Sequence, residues 1–228
     1  MPACPTVRPL LVDATQAEQS TTVSARTGVY SRGQHDPPSP IRFGSGTTAA
    51  KAECLIRPAT PEDMAAVTAI YADFVENTTC TFDLVAPGEA TMRRRLQMTV
   101  ENRLPYLVAE LDGYIVGYCY AAPFRPREGY RFTVEDSIYV RGDCRGYGVG
   151  KALLTELISG CQARDCHSMV ACICGANVPS VALHASLGFV PIGTLPEAGK
   201  KFGEWLGLSI MQLRFEPTAP PADTTEAT

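Results

Sequence analysis

Seven residues, Arg145-Gly146-Tyr147-Gly148-Val149-Gly150-Lys151, stand between an apolar run ending Ile138-Tyr139-Val140 and a helical one opening Ala152-Leu153-Leu154. Glycines at a strand-to-helix junction let the main chain turn tightly, and a helix start presents amides that lack intrahelical acceptors at the positive end of the dipole. Such a junction holds a diphosphate largely by main chain. The two commoner phosphate motifs do not fit. A P-loop needs Gly where Arg145 stands and Ser or Thr where Ala152 stands, and the dinucleotide fingerprint's third glycine falls on Leu153. Alone, the stretch reads equally well as a plain structural turn.

The flanking pattern sets the fold class. Cys54 to Pro58 reads as a strand, and Thr60-Pro61-Glu62-Asp63 as a helix start with Thr at the cap and Pro next. Met64, Val67, Ile70, Tyr71, Phe74 and Val75 recur at helical spacing. A second helix spans 87–102, and strands 106–111 and 114–121 flank Asp112-Gly113, a tight-hairpin dipeptide. Then come strand 132–140, helix 149–164, strand 169–174, helix 177–187 and strands 189–194 and 208–215. The class is α/β with a mixed sheet, hairpins first and crossover helices later. Residues 1–52, rich in Ser, Thr, Gly and Pro, read as a disordered arm, and 217–228 as a disordered tail, leaving 53–216 as one domain.

Charge and composition exclude several functions. The net charge of −4, with no basic run longer than Arg93-Arg94-Arg95, lacks the footprint that phosphate backbones require, so nucleic acid is not an expected partner. No run approaches a membrane span, and a cytoplasmic location is expected. The nine cysteines are scattered through apolar runs without ligand spacing, so reduced, mostly buried thiols and no metal are expected.

With these features in order, the glycine stretch resembles motif A of the GNAT acetyltransferase superfamily, carried by Arg145, Gly148 and Gly150. Asn177-x-x-Ser180-x-x-Leu183-His184-x-x-x-Gly188-Phe189 is similar to its motif B. The resemblance implies a single domain with a mixed, mostly antiparallel central sheet flanked by helices. It also implies acetyl-CoA as co-substrate. The diphosphate would lie on Arg145, Gly146, Tyr147, Gly148, Val149, Gly150 and Lys151, the coenzyme arm along Ile138, Tyr139 and Val140, and Asn177 would be a further contact.

Upstream, residues 124–135, containing Arg125-Pro126-Arg127 and Thr133-Val134-Glu135, resemble the segment that marks phosphinothricin and methionine sulfone/sulfoximine N-acetyltransferases. The likeness implies a small amino acid acceptor bordered by Arg125, Pro126, Arg127 and Glu135, and a homodimer. The residue types suit the chemistry. An ammonium must lose a proton before its nitrogen attacks a thioester, and a carboxylate desolvated in an apolar strand, Glu135, is a candidate base. Arg125, and less directly Arg127, suit a carboxylate in a planar fork. His184 reads either as the acid for the departing thiolate or as a packed helix histidine, and Asn177 as a helix cap or a ligand. Glu204 and Gly207 depart from the family's Arg and Asp, which bears on the choice of acceptor. Two other readings stay open: a different amine acceptor (polyamine, aminoglycoside or protein N-terminus), and a non-catalytic acyl-CoA-binding module.

Overall fold

The computed structural model describes residues 54–215. The expected arm and tail lie outside the described residues. Strand β1 (Leu55–Pro58) leads through a short 3-10 turn at Pro61–Asp63 into helix α1 (Met64–Asn77). Asp63 closes that turn. Its carboxylate accepts the Thr60 N–H at 2.7 Å and two Arg57 guanidinium N–H groups at 2.8 Å each. Helix α2 (Glu89–Glu101) follows, then the hairpin β2 (Tyr106–Leu111) and β3 (Tyr114–Pro123), turned at Asp112 and Gly113 with φ of 52° and 81°. The expected Asp-Gly turn is observed, because only residues tolerant of positive φ fit both central positions.

Strand β4 (Thr133–Val140), helix α3 (Val149–Gln162), strand β5 (Ser168–Cys174) and helix α4 (Val178–Ala185) complete the middle of the chain. A long terminal hairpin, β6 (Val190–Lys201) and β7 (Glu204–Arg214), ends it. The seven strands form one sheet in the order β1-β2-β3-β4-β5-β7-β6, with β4 and β5 parallel and every other pair antiparallel.

Alternation along the strands divides the core into two layers. Cys119, Ala121 and Val134 pack with Leu153, Leu154 and Leu157 of α3 and, at its margin, Val181 and Leu183 of α4. Tyr106, Val108 and Tyr118 pack on the opposite face with Met64, Val67, Ile70, Met92 and Leu96 of α1 and α2. A bulge between Ala109 and Glu110 inserts one residue into β3 and turns Val116 to the α3 face.

The last two strands are longer than the sequence pattern suggests, 12 and 11 residues rather than 189–194 and 208–215. Pro191, Pro196 and four glycines punctuate the segment and mask its periodicity. The structure absorbs them through register shifts at 191/193 and 195/199. At Gly199 a Cβ would collide with the ring of Phe82, so glycine is what lets the 78–88 segment dock on the hairpin.

Candidate active site

Strand β4 changes character along its length. Val134 to Asp136 pair with β3 on one side and β5 on the other, ending at Asp136 opposite Ala171. From Ser137 to Val140 only the β3 side is paired, while β5 continues along β7 to Cys174 opposite Leu208. A fork opens between β4 and β5, leaving one main-chain edge of β4 without a sheet partner. A cavity of about 380 Å³ fills it, the size of a small-ligand site. Its walls include Glu135, Asp136, Ser137, Ile138 and Tyr139 of β4, Cys172 and Cys174 of β5, Asn177, Ser180 and His184, and Arg125, Cys80 and Phe82.

Glu135 lies at the mouth, its side chain one-third exposed, with its Oε2 4.0 Å from Arg125 Nη1. Burial raises its pKa, while the Arg125 charge and a hydrogen bond with the Cys172 thiol pull the other way without cancelling it. Burial, and after it the Glu135 carboxylate, push the Cys172 thiol up to about 11. Arg125 is exposed, stacks its guanidinium 4.1 Å from the Phe124 ring centroid, and donates to the Phe124 carbonyl oxygen at 2.7 Å. It is thus held beside the mouth with donors to spare. Pro126 and Arg127 are exposed and stand outside the cavity wall, on the turn leading to Glu128–Tyr130.

His184 is 2% exposed. Its Nδ1 lies 2.7 Å from the Ser180 carbonyl oxygen, which can only accept, so Nδ1 carries a proton. Its Nε2 meets Asp136 Oδ2 at 3.0 Å. Burial alone would lower the imidazole pKa, but the hydrogen bond and charge of Asp136 outweigh it and the net shift is upward. The pair therefore holds one further proton between Nε2 and Oδ2. Asp136 Oδ1 is buried with no hydrogen-bond partner.

The sequence reading did not single out Asp136. Its trace was an acid in register with Val134, Ile138 and Val140, on the core-facing side of β4. An acid on an apolar strand face needs a partner, and His184 of α4, beyond β5, is that partner.

Asn177 caps α4, its Oδ1 accepting from Ser180 N at 3.2 Å, and its amide nitrogen donates to Cys80 Sγ at 3.4 Å while it lines the cavity. The capping role is observed.

At the far end of β4, five residues and about 16 Å beyond Glu135, the glycine loop enters α3. Gly146 and Gly148 have φ of 81° and 86°, with nothing within 4 Å of where a Cβ would project, and no side chain caps α3. Gly150 lets the two helices approach, since its Cβ would lie 3.3 Å from Leu183 Cδ2. Arg145 binds its loop back to the strand, Nε to the Val140 carbonyl oxygen at 3.1 Å, with the guanidinium over the Phe74 ring. Tyr147 and Lys151 are exposed and Val149 is buried. An open glycine cradle with uncapped helix amides fits a diphosphate, and the unpaired β4 edge fits the extended arm of acetyl-CoA. Among the described residues no group of three or more His, Cys, Asp or Glu side chains is gathered for a metal, and no helix is long and apolar enough to cross a membrane.

Known proteins resemble this chain in sequence and in fold. Residues 56–208 match the model of the acetyltransferase (GNAT) domain. The chain is 42% identical over 177 residues to phosphinothricin N-acetyltransferase of Alcaligenes faecalis, covering 77% of this chain and 89% of that protein. It is 42% identical over 164 residues to L-methionine sulfoximine/L-methionine sulfone acetyltransferase of Pseudomonas aeruginosa, covering 72% and 95%. A phosphinothricin acetyltransferase from Sinorhizobium meliloti, crystallised with acetyl-CoA, superposes with a TM-score of 0.70 at 40% identity, covering 75% of this chain and 97% of that one.

Proposed function

The chain belongs to the GNAT acetyltransferase family, and from that premise we propose that it moves the acetyl group of acetyl-CoA onto the α-amino nitrogen of a small amino acid analogue of the methionine sulfone, methionine sulfoximine or phosphinothricin type. One observation carries the choice of acceptor. The half-buried carboxylate of Glu135 stands 4.0 Å from a guanidinium at the mouth of the fork, so base and carboxylate anchor lie side by side. An α-amino acid presents an ammonium and a carboxylate at that spacing, whereas a polyamine or aminoglycoside would meet Arg125 with like charge.

Acetyl-CoA supplies a thioester carbonyl as the electrophile. Arg125 holds the acceptor's carboxylate. Glu135, its pKa raised by burial, takes the ammonium proton so that the nitrogen lone pair is free to attack. The proton between His184 Nε2 and Asp136 Oδ2, beside the fork, passes to the departing sulfur as the imidazole gives up its hydrogen bond to Asp136. From ammonium to amide the nitrogen sheds two protons: one passes to Glu135 before attack, and the second, released once the carbon–nitrogen bond forms, restores the His184–Asp136 pair after that pair has protonated the departing sulfur. The open amides at 149–151 and the edge of Ser137–Val140 hold and aim the co-substrate.

A panel of acceptors with stoichiometric CoA release tests the reading. Turnover on methionine sulfone, methionine sulfoximine or phosphinothricin, with none on spermidine or kanamycin, is expected, and the reverse ranking overturns it. The proposed homodimer has a candidate surface in the edge strand β6, where Val190, Ile192 and Leu195 are exposed.

A further inference from the structure

Helix α3 ends in a latch made of two cysteines. The Cys166 N–H donates to the Cys161 carbonyl oxygen at 3.2 Å and the Asp165 N–H to the Gln162 carbonyl oxygen at 3.2 Å, with Asp165 at a left-handed φ of 56°. These paired six-to-one and five-to-two bonds are the Schellman motif, which brings the side chains of its first and last residues together. In most helices that contact is between two hydrophobic residues. Here both are thiols, and Cys166 packs against the buried cluster that holds Cys161.

The two thiols differ as an attacking and a resolving cysteine must. Cys161 is fully buried against the α3 face of the sheet, whereas Cys166 is half-buried and reaches solvent. The neighbouring Cys161 thiol and the Arg164 guanidinium pull the Cys166 thiol below its ordinary value, against burial and the Asp165 charge, while Cys161 is raised. The buried Cys119 thiol of β3 also faces Cys161.

We propose that Cys161 and Cys166 form an oxidative modification site, at which a peroxide closes a disulfide across the C-terminal end of α3. The Cys166 thiolate attacks one peroxide oxygen, the O–O bond breaks, and the other oxygen leaves as water after taking a proton, giving a sulfenic acid. The Cys161 sulfur then attacks the Cys166 sulfur, the S–O bond breaks, and a second water leaves with the Cys161 proton. Two thiols and one hydrogen peroxide become one disulfide and two waters. The bond closes the end of α3 opposite the glycine cradle, so acetyl transfer should change less than about twofold while the helix end is tied down.

The test uses the full chain, a few equivalents of hydrogen peroxide, alkylation of the remaining thiols and peptide mass mapping. The expected product is a peptide joining residues 161 and 166 with the loss of two hydrogens, reversed by dithiothreitol. Before oxidation, Cys166 should alkylate at neutral pH about tenfold faster than Cys172, whose thiol is pushed up to about 11. Cys166→Ser should stay active and leave Cys161 reduced under the same peroxide. Cys166 stopping at sulfinic acid, staying reduced, or linking to another cysteine overturns the proposal. The wild-type peptide map decides this even if the variant folds poorly.

Discussion

The two halves of β4 share one strand and one face alternation, yet they do different work. From Val134 to Asp136 both edges are paired within the sheet, and from Ser137 to Val140 one edge is left open. The paired half is rigid and carries the side chains proposed for chemistry, Glu135 toward the acceptor and Asp136 toward His184. The open half offers main chain, and it leads into a glycine loop that again offers main chain. Side-chain chemistry gains from a backbone that cannot move, whereas an extended ligand arm needs a backbone with unspent donors and acceptors.

The division breaks most visibly at the paired half. Glu135→Gln should lower kcat by about 10² or more while leaving the KM for acetyl-CoA within about twofold. An equal loss in both would mean the two halves do not act separately. Because burial raises the Glu135 pKa, kcat/KM should fall on the acid side of that raised value, and the Gln variant should lose that limb of the pH profile.

Asp136→Asn is expected to cost about tenfold in kcat. Without the carboxylate, burial dominates His184 and its pKa drops, so the alkaline limb set by the proton on Nε2 should move to lower pH. An unshifted limb would leave Asp136 a packing residue.

Gly148→Ala probes the other end. At φ of 86° an alanine is strained by about 1 kcal/mol, and its Cβ enters the open cradle. The KM for acetyl-CoA should rise about fivefold to tenfold, with kcat little changed, the mirror image of Glu135→Gln.

The smallest kinetic effect belongs to a region outside the comparison. The Arg57 hydrogen bonds hold the Asp63 carboxyl below its ordinary value despite burial. Its contribution to stability is therefore present above about pH 3.8 and is lost as pH falls through the depressed value. Asp63→Asn should lower Tm by about 2–4 °C at neutral pH, as expected for a loss of ~1 kcal/mol, with kcat and both KM values unchanged. A kinetic change would show that this turn communicates with the fork.

Much of this was written in local pattern. The α/β order, the Asp112-Gly113 turn, the glycine junction before α3 and the Asn177 cap follow from spacing and from the few residues that tolerate positive φ or satisfy helix ends. Glu135 was legible as a carboxylate in an apolar strand. Pro126 and Arg127 adjoin Arg125 in sequence, but the turn carries them away from the cavity wall, because three consecutive residues of a loop cannot all face one pocket. The sequence pattern makes the hairpin β6–β7 too short, since prolines and glycines mark turns unless a partner strand and Phe82 impose extension on them.

Local sequence alone settled which segments are strands and helices, and that one helix would begin with uncapped amides on a glycine turn, since those outcomes depend on residues within a few positions of one another. Where β4 parts from β5, and that Asp136 finds His184 across 48 positions, were decided by the folded molecule. Strand separation and buried pairing depend on which surfaces are packed together, and no single segment of chain contains that information.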